Sequence, residues 1–169
     1  MLYVSETVSR RDLLLRVAAG AAGLTLSSVG VSAVAASRQQ GLTALQEGVL
    51  ISGHAEEGIL WVSDNRGGLY ATEDGGESWR VLNVRARGAL TAMAVRRNLA
   101  VAVGHRGAVL TSQDRGWGWT PRSLPTAEPV SLLDVVVLPA GRVMAVGAFG
   151  ACWASDDFGV SWQAKQPMA

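Results

Sequence analysis

The chain has 169 residues, enough for one domain and few for two. Hydrophobic residues make up 49% and charged residues 17%, against roughly 25% charged in an average soluble domain. Twenty glycines and a formal charge of +1 complete a composition that excludes a solvated disordered chain, a coiled coil and a basic nucleic-acid arm. The single cysteine, Cys152, has no internal disulfide partner, and with only two histidines there is no Cys/His metal-binding spacing. The reading therefore calls for no metal and no cofactor.

Residues 1–35 read as an address rather than as part of the fold. Ser9-Arg10-Arg11-Asp12-Leu13-Leu14-Leu15-Arg16 is followed by an uncharged stretch from Val17 to Ala35. That stretch ends in Ala33-Val34-Ala35, an A-x-A cleavage pattern, ahead of polar Ser37-Arg38-Gln39-Gln40. A positive n-region, an apolar h-region and a small-residue cleavage site describe an export signal. The arginine pair with leucines close behind resembles the twin-arginine type. The expected location is the periplasm or an equivalent lumen, with an uncleaved signal serving as membrane anchor as the alternative, since an uncharged, largely apolar stretch of 19 residues approaches the roughly 20 that span a bilayer. The expected domain is then residues 36–169. It carries 12 basic and 12 acidic side chains, and so has no electrostatic footprint for nucleic acid.

That domain is organised by an internal repeat of 40 to 43 residues. Its three copies are Thr72-Glu73-Asp74-Gly75-Gly76-Glu77-Ser78-Trp79, Ser112-Gln113-Asp114-Arg115-Gly116-Trp117-Gly118-Trp119 and Ser155-Asp156-Asp157-Phe158-Gly159-Val160-Ser161-Trp162. Gly67, Gly107 and Gly150 each lie seven residues before the aspartate. Ala102-Val103-Gly104-His105-Arg106-Gly107 matches Ala145-Val146-Gly147-Ala148-Phe149-Gly150, whereas the first copy has Asp64 in place of the leading glycine. Each unit reads as four short strands rich in Val, Leu and Ala, separated by turn residues. In the second copy these fall at about 90–95, 99–103, 108–113 and 119–124. The units cover about 48–83, 89–125 and 131–165. Gly104 to Gly107 is expected to be a hairpin in which glycine supplies positive φ, and Pro121, Pro125 and Pro129 mark the outer strand and the following link.

Within each copy the residue types suit a stapled turn. The aspartate (Asp74, Asp114, Asp157) can accept bonds from its own turn's N–H groups. The glycine two residues on (Gly76, Gly116, Gly159) permits a left-handed backbone. The hydroxyls (Thr72, Ser78, Ser112, Ser155, Ser161) close the hairpin, and the tryptophan (Trp79, Trp119, Trp162) opens the next strand with a large apolar surface.

These elements resemble the Asp-box, or bacterial neuraminidase repeat, which implies a β-propeller with the box between the third and fourth strands of each blade. The longer pattern A-V-G-x-x-G, four residues, then S-x-D-x-G-x-S-W, carried by Gly104–Trp119 and Gly147–Trp162, resembles the photosystem II assembly and stability factor family. The resemblance covers about residues 48–165, and Gly118 departs from the hydroxyl expected at its position. It implies an exported, non-enzymatic, all-β partial propeller that binds protein clients or subunits of a membrane-protein complex. The family has about seven blades and three are visible here. Three blades leave open apolar ends, so the expectation is a homo-oligomer of two arcs closing a six-bladed ring, a longer partner chain, or a truncated product.

The alternative is a secreted glycosidase or sialidase-like protein, or its inactive remnant. A sialidase needs an arginine triad and a tyrosine nucleophile. Only Tyr3 and Tyr70 are present; Tyr3 lies in the signal, and Tyr70 falls in a strand expected to be outer. A two-carboxylate glycosidase needs paired acids across one cleft, whereas Asp74, Asp114, Asp157, Glu56 and Glu57 read as box or turn residues. His105 and Arg106, with Arg66 at the matching place in the first unit and Phe149 in the third, form hairpin tips that can present guanidinium groups to an acidic client. His54 reads as a solvated turn residue, and Cys152 as a small buried hydrophobe.

Overall fold

The computed structural model describes residues 49–166. Twelve strands in this range form three antiparallel sheets of four. The first holds β1 (Leu50–Glu56), β2 (Ile59–Asp64), β3 (Leu69–Thr72) and β4 (Arg80–Leu82). The second holds β5 (Leu90–Arg96), β6 (Leu99–Gly104), β7 (Val109–Ser112) and β8 (Thr120–Arg122). The third holds β9 (Leu132–Val137), β10 (Val143–Gly147), β11 (Cys152–Ser155) and β12 (Gln163–Ala164). Every sheet is a simple meander. Strands β1, β5 and β9 run side by side along the inner edge, so the sheets stack as consecutive blades of a partial β-propeller. The proposed signal segment lies outside the described residues.

Blades stack because their faces are apolar in alternation. In β6, Ala100 and Ala102 face the first blade, and their small side chains leave room for Trp61 and Trp119. Leu99, Val101 and Val103 face the third blade, where Trp153 and Trp162 fill the space. Both faces of β2 and β6 are buried throughout, and burying each valine contributes roughly 1.5–3 kcal/mol. A third cluster, Leu60, Val62, Tyr70 and Trp79, lies on the leading face of the first blade.

Hydroxyls tie each blade to the inner strand of the next. Ser63 donates to the Leu90 carbonyl (2.8 Å), and Thr91 donates to the Leu132 carbonyl (2.7 Å). Thr91 occupies a β-bulge between Leu90 and Ala92. Equivalent bulges fall in β1 and β9.

The glycines of the A-V-G-x-x-G stretches divide by role. Gly107 and Gly150 have φ of +66° and +74°, as a tight turn requires. Gly104 is extended, with φ −172°, which corrects the expectation of a left-handed residue there. A Cβ on it would lie 2.0 Å from the Ala89 carbonyl oxygen, so the position needs glycine for close approach to the incoming link.

Candidate functional site

In a meander the β1–β2 and β3–β4 turns share one rim of the blade, while the β2–β3 turn and the link to the next blade share the other. The three aspartate turns therefore sit on one rim, and the tips carrying Arg66, His105, Arg106 and Phe149 sit on the opposite one.

Each aspartate turn is closed upon itself. In the first blade, Thr72 Oγ1 donates to Asp74 Oδ1 (2.7 Å) and accepts from the Gly76 N–H (3.0 Å). Asp74 also accepts from the Ser78 N–H (2.9 Å) and the Ser78 hydroxyl, and Trp79 Nε1 donates to the Gly76 carbonyl (3.1 Å). In the third blade, Ser155 donates to Asp157 (2.8 Å) and accepts from the Gly159 N–H (2.9 Å). Ser161 donates twice to Asp157 (2.8 and 2.6 Å), and Trp162 Nε1 donates to the Gly159 carbonyl (2.9 Å). The second blade keeps the plan with Ser112, Asp114, Gly116 and Trp119. Gly118 supplies only its N–H (2.8 Å), and the Trp117 N–H adds a donor at 3.1 Å. The hydroxyl bond that Ser78 and Ser161 give to their aspartates is the one this turn lacks.

These bonds set the acidity of the carboxyls. Burial alone would raise Asp74, but the hydroxyl and N–H of Ser78 and the hydroxyl of Thr72 outweigh it and bring it down to about 2. The Ser161 hydroxyl, the Ser161 N–H and the Ser155 hydroxyl bring Asp157 to about 2 as well. At Asp114, burial works against bonds from Ser112, Gly118 and Trp117, and the net shift is downward. Each carboxylate is anionic, engaged by its own turn and confined to its own blade.

On the opposite rim, Arg66, His105, Arg106 and Phe149 are all exposed. Arg106 and Phe149 have φ of +60° and +57°, a left-handed conformation that projects the side chain outward at the tip. The second tip is anchored beneath: the His105 N–H donates to the Ala89 carbonyl (2.9 Å) and the Gly107 N–H to the Val130 carbonyl (2.6 Å). His105 Nδ1 lies 3.2 Å from Ser131 Oγ. At the first tip, Asp64 replaces the glycine, and its carboxylate accepts from the N–H groups of Arg66 (2.8 Å) and Gly68 (2.7 Å) and from the Tyr70 hydroxyl (2.8 Å). An open cleft of about 550 Å³ lies beside this tip, lined by Asp64, Arg66, Tyr70, Val81, Asn83 and Ala86 among others.

Two expectations are corrected here. Tyr70 lies in β3, inside its sheet, and is buried with its hydroxyl on Asp64. An aspartate at a glycine position with a tyrosine six residues on was the available signal for this pair. His54 lies in β1 opposite Trp61, not in a turn. Its Nε2 accepts from the Val95 N–H of the second blade (3.3 Å) and stands 3.7 Å from Glu56. Cys152 is half-buried at the start of β11. Among the described residues, no group of three or more His, Cys, Asp or Glu side chains is placed to hold a metal ion.

The fold is that of a β-propeller, seen here as three consecutive blades. Among solved structures, the chain is similar to YCF48 bound to D1 peptide, with TM-score 0.61 and 21% identity over 69% of this chain and 39% of that one. It is also similar to YCF48 from Cyanidioschyzon merolae, with TM-score 0.60 and 25% identity over 70% of this chain and 37% of that one. A GH74 enzyme from Niastella koreensis aligns at TM-score 0.45 and 18% identity over 64% of this chain and 16% of that one. The chain thus spans less than two-fifths of either YCF48 chain. No family model and no curated protein matches the sequence.

Proposed function

We propose that this chain is an exported, non-enzymatic propeller protein of the photosystem II assembly factor type, and that it recognises an acidic protein client at the rim bearing Arg66, His105 and Arg106. The observation that carries this reading is the pair of exposed arginines, Arg66 and Arg106, at matching tips of the first two blades, on the rim opposite the aspartate turns. The second tip is held by backbone bonds from His105 to Ala89 and from Gly107 to Val130, and the first by the Asp64 carboxylate, which accepts from the Arg66 and Gly68 N–H groups, so the backbone at both tips is fixed before a partner arrives. The likeness to YCF48, one structure of which holds a D1 peptide, supports protein binding as the role. The aspartates are engaged by their own turns on separate blades, and this supports reading them as Asp-box corners rather than as a catalytic pair.

The test is calorimetric titration of an Asp/Glu-rich peptide panel against the full chain and its Arg66→Ala/Arg106→Ala variant. The proposal expects binding by the parent chain, weakened by roughly tenfold or more in the variant as charged contacts are lost. Equal affinity for both removes the rim from the account. Turnover of sialyl or other aryl glycosides by the purified chain would overturn the non-enzymatic reading. Export is tested separately by replacing Arg10 and Arg11 with lysine, which is expected to leave the chain in the cytoplasm.

A further inference from the structure

The trailing face of the third blade differs from the two faces that receive a following blade. Register places Leu133, Val136, Met144 and Val146 where the second blade has Thr91, Ala94, Val101 and Val103. Val101 and Val103 are fully buried against the third blade, whereas Leu133, Val136, Met144 and Val146 are 51%, 47%, 38% and 46% exposed. The hydroxyl that ties each earlier blade to the next inner strand, from Ser63 and then Thr91, is gone, because its two positions now hold Val146 and Leu133. Charges stand at the two ends of the strip. Asp134 occupies the place of Ala92, paired with Val146 at one end. Arg142 occupies the place of buried Leu99, at the entry to β10 at the other.

A following blade of the same repeat would meet a face with no tie and with a charge where Leu99 or Ile59 is buried. A second copy joined head to tail would need the leading face of the first blade, where Leu60, Val62, Tyr70 and Trp79 are already buried. The strip is instead complementary to itself. A two-fold axis lying in the face and crossing the strands at the level of Val136 and Met144 carries the Asp134 end of one sheet over the Arg142 end of the other. The apolar side chains then meet at the centre, as in an isologous interface.

We infer that two copies of this chain pair back to back through the trailing faces of their third blades, with Asp134 of each copy facing Arg142 of the other. The pairing leaves the tips at Arg66 and Arg106 open, and it differs from ring closure in using the same face twice.

Sedimentation equilibrium of the full chain over a wide concentration range tests this. A dimer is expected, and Asp134→Arg and Arg142→Asp should each raise its dissociation constant by at least about tenfold, since like charges then oppose. The doubly exchanged variant, D134R with R142D, should return it to near the parent value. Near-UV circular dichroism confirms that each variant is folded, as exposed positions allow. A monomer at all concentrations, single variants that dimerise like the parent, or a double variant that stays dissociated would each overturn the proposal. Failure to restore the dimer is the result a head-to-tail contact gives.

Discussion

At the residue scale, the aspartate turns tie acidity to stability. The carboxyls of Asp74 and Asp157 fall from an ordinary 3.8 to about 2 on folding. A depressed folded value means that the contribution is present above pH 3.8 and is lost as pH falls through about 2. The midpoint of thermal unfolding should therefore drop on acidification across that window. A chain with Asp74→Asn and Asp157→Asn should start lower and show a flatter profile. Glycines in the same turns separate backbone strain from packing. Gly75 and Gly116 have φ of +73° and +81°, but only at Gly116 would a Cβ strike a neighbour, Trp61 Nε1 at 2.7 Å. Gly75→Ala should cost about 1–2 kcal/mol in urea unfolding, from the left-handed backbone alone, and Gly116→Ala about 1–3 kcal/mol more for the overpacked tryptophan. The donors and acceptors of these turns were legible in the sequence because every bond is local. Gly104 was only half legible: its need for glycine was visible, but the reason lies in a link that approaches from Ala89.

At the element scale, strands and hairpins followed from alternation and turn residues, and the expected limits of the second blade fall within one to two residues of β5–β8. Tyr70 and His54 depart from the expectation because their partners lie on other elements. Tyr70 is drawn inward by the Asp64 carboxylate in the neighbouring strand, and His54 by a backbone N–H in the next blade. Burial lowers the His54 pKa below 6.5. Its NMR titration should therefore have a midpoint under that value, and the stability it adds should be present above pH 6.5 and lost as pH falls below it. Trp162 is buried between the second and third blades and donates to Gly159. Trp162→Ala should cost about 3–5 kcal/mol in urea unfolding, while Phe149→Ala, at a fully exposed tip, should stay within about 0.5 kcal/mol.

At the scale of the whole molecule, the described chain is a stack in which each blade is stabilised by its neighbours. The repeat made that stack legible. The rim geometry was legible in part, since the periodicity alone aligns Arg66, Arg106 and Phe149. The trailing face of the third blade was not, because exposure depends on what packs opposite. The stacking itself is tested most directly by native-state hydrogen exchange. The amides of Val101 and Val103 in β6, enclosed between two blades, should exchange only with global unfolding. Those of the outer strands β4 and β12 should exchange orders of magnitude faster. Equal protection of inner and outer strands, or rapid exchange at Val101 and Val103, would contradict a stack of blades.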